Sequence, residues 1–210
     1  MNYKVIYNEN YFSGKNSFFY TLGYGRFSGT YFNSLYKSIH KYVKNDFHVL
    51  DVGCAYGLML LRFPDSVQKF GLDVSKYAID IARSKVPGAV FKLGNAEHRF
   101  PFAGIDMILL NDVIEHIEQP ESLLKNTYSA LKRGGILFIT TPNLNIVRKR
   151  LFRYADTKEH HISMFTHEDL LDLLERSGFS VLEKWTFIDI ISSIRLSSNG
   201  LESAFICRKK

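Results

Sequence analysis

Asp51-Val52-Gly53-Cys54-Ala55-Tyr56-Gly57 is the stretch of this chain whose residue types most directly suggest chemistry. Small residues at 53, 55 and 57 let the backbone turn sharply and approach a ligand closely. A helix starting after such a turn would present unpaired N–H groups to a carboxylate or phosphate. Asp73 lies 22 residues after Asp51. An acid there, at the end of a second strand, can accept hydrogen bonds from both ribose hydroxyls of a nucleoside. The dinucleotide fingerprint G-x-G-x-x-G would need a third glycine at position 58, which is Leu58. The glycine falls one residue earlier, at Gly57, and an acid precedes the turn.

This pattern resembles motif I of the class I S-adenosylmethionine (SAM)-dependent methyltransferases, Asp/Glu-x-Gly-x-Gly-x-Gly, with Ala55 in place of the middle glycine. The resemblance continues over roughly residues 47–185. Asp73 matches the ribose-binding acid, with Val74 beside the adenine. Gly94-Asn95-Ala96-Glu97 resembles Gly-Asp-Ala-Glu, in which the Asn95 position reaches the adenine amino group. Asn111-Asp112-Val113-Ile114-Glu115-His116 matches the segment under the methionine moiety. Leu131-Lys132-Arg133-Gly134-Gly135 and Thr141-Pro142-Asn143 look like Leu-Lys-Pro-Gly-Gly and Thr-Pro-Asn. His160-His161-Ile162, Phe165-Thr166 and Gly178-Phe179 resemble the ubiquinone-biosynthesis-like, small-molecule branch.

The resemblance implies SAM as cofactor and S-adenosylhomocysteine as product. It implies binding through Asp51, Gly53, Ala55, Gly57, Asp73, Val74, Asn95, Ala96 and Asn111. It also implies an α/β fold, a doubly wound Rossmann-like sheet of seven strands in the order 3-2-1-4-5-7-6 with the last strand antiparallel. Residues 201–207 would then be inserted between strands at 136–141 and 179–185.

The sulfonium methyl is already electrophilic, so the protein contributes chiefly by aligning the reactants and excluding water. A base is needed only for a weak nucleophile such as a neutral hydroxyl. His116 is the first candidate, at the end of the fourth strand where open α/β sheets bind ligands, and His161 is the second. The Asn/Asp-Pro-Pro-Tyr/Phe signature of amino-directed enzymes is absent, and so is a Pro-Cys or Thr-Cys nucleophile. O-methylation of a small hydroxylated or anionic molecule is the leading expectation. A nucleic-acid (RNA) acceptor held by the basic run 148–153 is the runner-up, and a non-catalytic SAM-binding protein is third. Asp112-x-x-Glu115-His116 with a downstream histidine resembles the metal-binding Glu-x-x-Glu-His…His of small-RNA 2′-O-methyltransferases and some quinone O-methyltransferases. Many relatives with Glu-His use no metal, and no metal ligand is assigned.

The elements that must position these residues are legible in the patterning. At 210 residues, 46% hydrophobic and 23% charged, the chain suits one globular domain, or a domain carrying a small cap, rather than a disordered segment, and the resemblance implies that this is a single methyltransferase domain. Cys54 and Cys207 are far apart in strand-like contexts, which excludes a disulfide framework or zinc knuckle and points to a reducing compartment. No signal peptide or transmembrane run is visible, so a cytoplasmic location is expected. Residues 1–46 form an aromatic N-terminal cap in which Tyr11, Phe12, Phe18, Phe19, Tyr20, Tyr24, Phe27, Tyr31, Phe32 and Tyr36 alternate with glycines. A helix is expected over Ser28–Lys44. Strands are expected at 47–52, 68–74, 89–93, 105–110, 136–141, 179–185 and 202–207, and helices at 76–85, at 120–132 and after Thr166. Residues 143–165 read as a substrate-side insertion. The acceptor should enter between that segment and the cap, with Arg148, Lys149, Arg150 and Arg153 steering its charge.

Overall fold

In the computed structural model, which describes residues 3–18, 24–25, 28–188, 191–197 and 199–210, short apolar strands alternate with amphipathic helices. Phe19, Tyr20, Gly23 and Phe27 of the expected aromatic cap lie outside the described residues. Five strands run parallel: β1 (His48–Val52), β2 (Gln68–Asp73), β3 (Val90–Leu93), β4 (Ile105–Asn111) and β5 (Leu131–Pro142). β6 (Phe179–Ile188), β7 (Ile191–Leu196) and β8 (Glu202–Lys209) complete an eight-stranded sheet in the order β3-β2-β1-β4-β5-β8-β6-β7. β8 lies antiparallel between β5 and β6, where the sequence places residues 201–207. The seven expected strands keep their order. The eighth, β7, falls in a stretch to which the sequence assigns no element and pairs antiparallel with β6 at the sheet's outer edge.

Period-two alternation decides which residues face which layer. Leu50, Val52, Ile108, Leu110, Leu137 and Ile139 point to one face. They pack with α5 (Pro120–Ala130) and α8 (His167–Arg176) through Leu123, Leu124, Leu170 and Leu174. Val49, Met107, Leu109, Ile136 and Phe138 point to the other, against α3 (Ser28–Ile39) and α4 (Lys76–Lys85). Burial on both faces is why these strands read as continuous apolar runs. Each fully buried Leu, Ile or Phe adds roughly 1.5–3 kcal/mol relative to exposure. The cap contributes α1 (Tyr3–Ile6) and α2 (Glu9–Phe12), and the 143–165 segment contributes α6 (Ile146–Leu151) and α7 (Arg153–Lys158).

Three local differences from expectation have physical causes. The loop after β1 leads only to a 3₁₀ turn, Leu60–Arg62, because Phe63 precedes Pro64 and is held extended. No long helix therefore follows the loop. α5 stops at Ala130 rather than Lys132, since Leu131 already pairs with Ile105, and Gly134 (φ +74°) makes its turn inside β5. α3 ends at Ile39 and gives way to a 3₁₀ turn, His40–Tyr42. Thr166 caps α8 as expected, accepting from the N–H of Asp169 in a reciprocal capping box.

Cys54 and Cys207 are both buried and free. Burial raises both thiols, Cys207 to about 12. Neither should react with a thiol-exchange reagent at pH 8 in the folded protein, and both should react after denaturation. Labelling of either before unfolding contradicts this packing.

Candidate functional site

The C-terminal ends of β1, β2, β3, β4 and β5 open into one cavity of about 630 Å³. That is the place where open α/β sheets hold ligands. Gly53 and Ala55 line it from the β1 loop, Asp73 and Val74 from β2, Asn95 and Ala96 from β3, and Asn111 from β4. Asp51 and Gly57 do not reach it. Asp51 is buried beneath the loop, and burial together with the neighbouring Asp73 raises its carboxyl well above the usual range. A Cβ at Gly57 (φ +70°) would come within 2.9 Å of Val86, so that glycine serves packing. At Gly53 (φ +71°) a Cβ would meet Val113 at 2.6 Å, and the missing side chain keeps the cavity wall open.

Asp73 is held in place by its own backbone surroundings. Its Oδ2 accepts from the N–H of Ala55 and its Oδ1 from that of Ser75, each at 2.8 Å. Burial raises its pKa while these bonds oppose the rise. Each oxygen keeps a further lone pair for a ligand. Asn111 presents a buried side-chain amide with neither atom hydrogen-bonded, polar capacity that a ligand can satisfy. Asn95 is partly committed to a turn, since its Oδ1 accepts from the N–H of Glu97. A cradle without a side chain, a ribose-competent acid and an orphaned amide together fit a nucleoside with a polar tail.

The opposite half of the cavity comes from β4's end, the cap and the 143–165 segment. His116 makes edge contacts with Tyr7 (5.5 Å between centroids) and His161 (4.9 Å). Burial, with His161 alongside, pulls the pKa of His116 down to about 3. His161 is oriented by Asp156, whose Oδ1 lies 2.9 Å from its Nδ1. Glu115 is buried, and its Oε2 accepts from the Thr141 hydroxyl while Oε1 has no partner. Burial and the adjacent Asp112 raise the Glu115 carboxyl well above its ordinary range. Glu115, His116 and His161 offer ligand atoms within 4.8 Å of one another, a donor set suited to a divalent ion.

Several lining residues escape sequence reasoning. Tyr31 donates to Asp112 at 2.8 Å, and Glu159 accepts from Tyr11, Ser17 and the N–H of Phe18, tying the cap to α7. The expectation that a basic run steers the acceptor's charge is corrected. Arg148 reaches the cavity wall already bound to Asp156 (2.7 Å) and Glu202 (2.9 Å), and Lys149, Arg150 and Arg153 are exposed. Among the described lining residues the one guanidinium is thus already paired, and the lining offers an acceptor no free cation. An anion gains little there.

Residues 27–184 match the family model described as a methyltransferase domain. The chain is 33% identical over 109 residues to a trans-aconitate 2-methyltransferase of Methylobacterium radiotolerans, covering 50% of this chain and 42% of that protein. It is 26% identical over 160 residues to a ubiquinone biosynthesis O-methyltransferase of Coxiella burnetii, covering 65% and 64%. The chain spans about half the length of the curated relatives it matches. A solved SAM-dependent methyltransferase of Thermotoga maritima shares the fold at a TM-score of 0.69 and 21% identity, covering 88% of this chain and 92% of that one.

Proposed function

The chain belongs to the methyltransferase domain family, and from that membership we propose that it transfers the methyl group of SAM to the oxygen of a small hydroxylated molecule. In this reading Gly53, Ala55, Asp73, Val74, Asn95, Ala96 and Asn111 hold the cofactor, residues 1–46 cap it, and 143–165 form the acceptor-side insertion. Asp51 and Gly57 shape the loop from behind. The acid-rich lining suits the cationic sulfonium, and it favours the neutral, hydroxylated form of the expectation over the anionic one. Similarity to the Coxiella burnetii protein supports placing the chain near the ubiquinone-biosynthesis-like branch.

The observation that carries the reading is that His161, which lines the same cavity as Asp73, is held from behind through its Nδ1 by Asp156. A carboxylate on Nδ1 favours the tautomer whose Nε2 accepts a proton. His116, held neutral by burial, is the weaker base. This reading puts His161 ahead of His116, where the sequence expectation had His116 first. The acceptor hydroxyl gives its proton to His161 as its oxygen forms the new C–O bond. The S–CH₃ electron pair stays on sulfur, leaving a neutral thioether and an imidazolium. Alignment and exclusion of water by the cap and insertion supply the rest.

The test is a screen for methyl transfer and S-adenosylhomocysteine release over phenols, sugars, carboxylic acids and short RNAs. Turnover on neutral phenols or sugars is expected. RNA as the sole acceptor, with a steep salt dependence, would move the assignment to nucleic acid. SAM-induced thermal stabilisation without turnover on any acceptor would make the protein a non-catalytic SAM binder. Glu115, His116 and His161 also support a second reading, a divalent ion that clamps an acceptor diol. Loss of turnover in EDTA, restored by a divalent ion, favours the ion; intact turnover favours the base.

A further inference from the structure

The α6–α7 pair is built inside out. A surface helix ordinarily buries an apolar stripe and turns its charges to water. Here the inward face carries Arg148 (2% exposed), Asp156 (8%) and Glu159 (1%), while Ile146 (70%), Leu151 (75%) and Tyr154 (72%) point outward with Val147. Val147 and Leu151, four apart on α6, share a stripe, and Tyr154 follows in the first turn of α7. The stripe continues onto the cap, where the half-exposed Phe18 meets the Tyr154 ring edge-on at 6.1 Å. The two segments that close over the cavity therefore share one apolar outer surface.

Cations border this surface. Lys149, Arg150 and Arg153 are exposed, and among the described residues none pairs with a carboxylate. Both acids between 145 and 160, Asp156 and Glu159, face inward, so the outer face holds no negative charge.

We propose that the outer face of α6–α7, with Phe18, docks on a bilayer surface bearing anionic headgroups. Such a surface meets both demands at once. Headgroups receive Lys149, Arg150 and Arg153, and the acyl boundary just beneath receives Ile146, Leu151 and Tyr154. A nucleic acid would leave the apolar side chains in water. A second copy related by a twofold axis would set the same cations against each other. The docked face is the back of the segment that carries Arg148, Glu159 and His161 into the cavity, so docking holds the cavity beside the membrane.

The whole chain is sedimented with vesicles of phosphatidylcholine alone and of equimolar phosphatidylcholine and phosphatidylglycerol. Partition into the anionic vesicles is expected, weakening with salt. Changing Lys149→Gln and Arg150→Gln together should weaken it about 30-fold, at roughly a factor of five per charge. Changing Ile146→Ser and Leu151→Ser should weaken it about tenfold or more. These positions face away from the cavity, so unchanged SAM affinity in each variant certifies the fold. Absence of partition into anionic vesicles at low salt, or undiminished partition in either variant, would overturn the proposal. So would a solution dimer, seen by light scattering, that Leu151→Asp dissolves, since a second copy would then own this face.

Discussion

Asp73→Ala should weaken SAM binding about 30- to 150-fold, equivalent to about 2–3 kcal/mol for two charge-assisted hydrogen bonds. The carboxylate sits at the end of β2, pinned by the N–H groups of Ala55 and Ser75 at 2.8 Å, so it meets a ribose without first being ordered. Titration calorimetry on the folded variant measures the loss. Unchanged affinity would move the nucleoside elsewhere. The variant also frees the Ala55 N–H, so Asp73→Asn, which can still accept at that position through its amide oxygen, separates loop support from ribose recognition. Acid should act in the same direction. Burial lifts Asp73 above the ordinary carboxylate range, and the protonated form loses acceptor strength. SAM affinity should therefore fall as pH drops, beginning above the usual aspartate value of about 4.

His161→Ala should lower turnover about 10²- to 10⁴-fold, the usual worth of a positioned base, while leaving SAM affinity nearly unchanged. His116→Ala should cost less, because burial makes its imidazole a weak base and its contact to the carbonyl of His160 is long, 3.4 Å. Asp156→Asn tests the orienting bond separately from the base itself. It keeps the side chain's shape but can present an N–H to His161, which favours the wrong tautomer. Turnover should fall with SAM affinity preserved. Because Asp156 also receives Arg148, a melting curve must accompany that variant. Undiminished turnover in His161→Ala, measured on an accepted substrate, would end its role as base. A larger loss in His116→Ala would restore the order that the sequence suggests.

The centre of the parallel sheet was legible because β1 and β4 are buried on both faces and their apolar runs are bounded by turn residues. β1 and β4 show this plainly: neighbouring residues on each strand feed opposite cores, and the chemistry-bearing residues Gly53, Asp73 and Asn111 lie at or just beyond the strand ends. Local spacing was enough for that much, as it was for the Thr166 cap of α8. Position 161 could be named as a base candidate, but nothing in the sequence ranked it above 116. The ranking we propose rests on Asp156 and on the burial of His116, which depend on how the 143–165 segment folds over β4.

The basic run at 148–153 divides the two levels most sharply. As a string of residues it is a cationic patch with four equivalent members. In the folded chain Arg148 turns inward to Glu202, 54 positions away, while its neighbours face solvent beside exposed leucine and isoleucine. Helical periodicity reports that residues share a face; it does not report which face is buried. That choice depended on the acids available across the cavity, because a buried guanidinium is tolerated only where carboxylates satisfy it. β7 escaped for a related reason. Its place at the edge is set by pairing with β6, a partner that its own short run of residues does not announce.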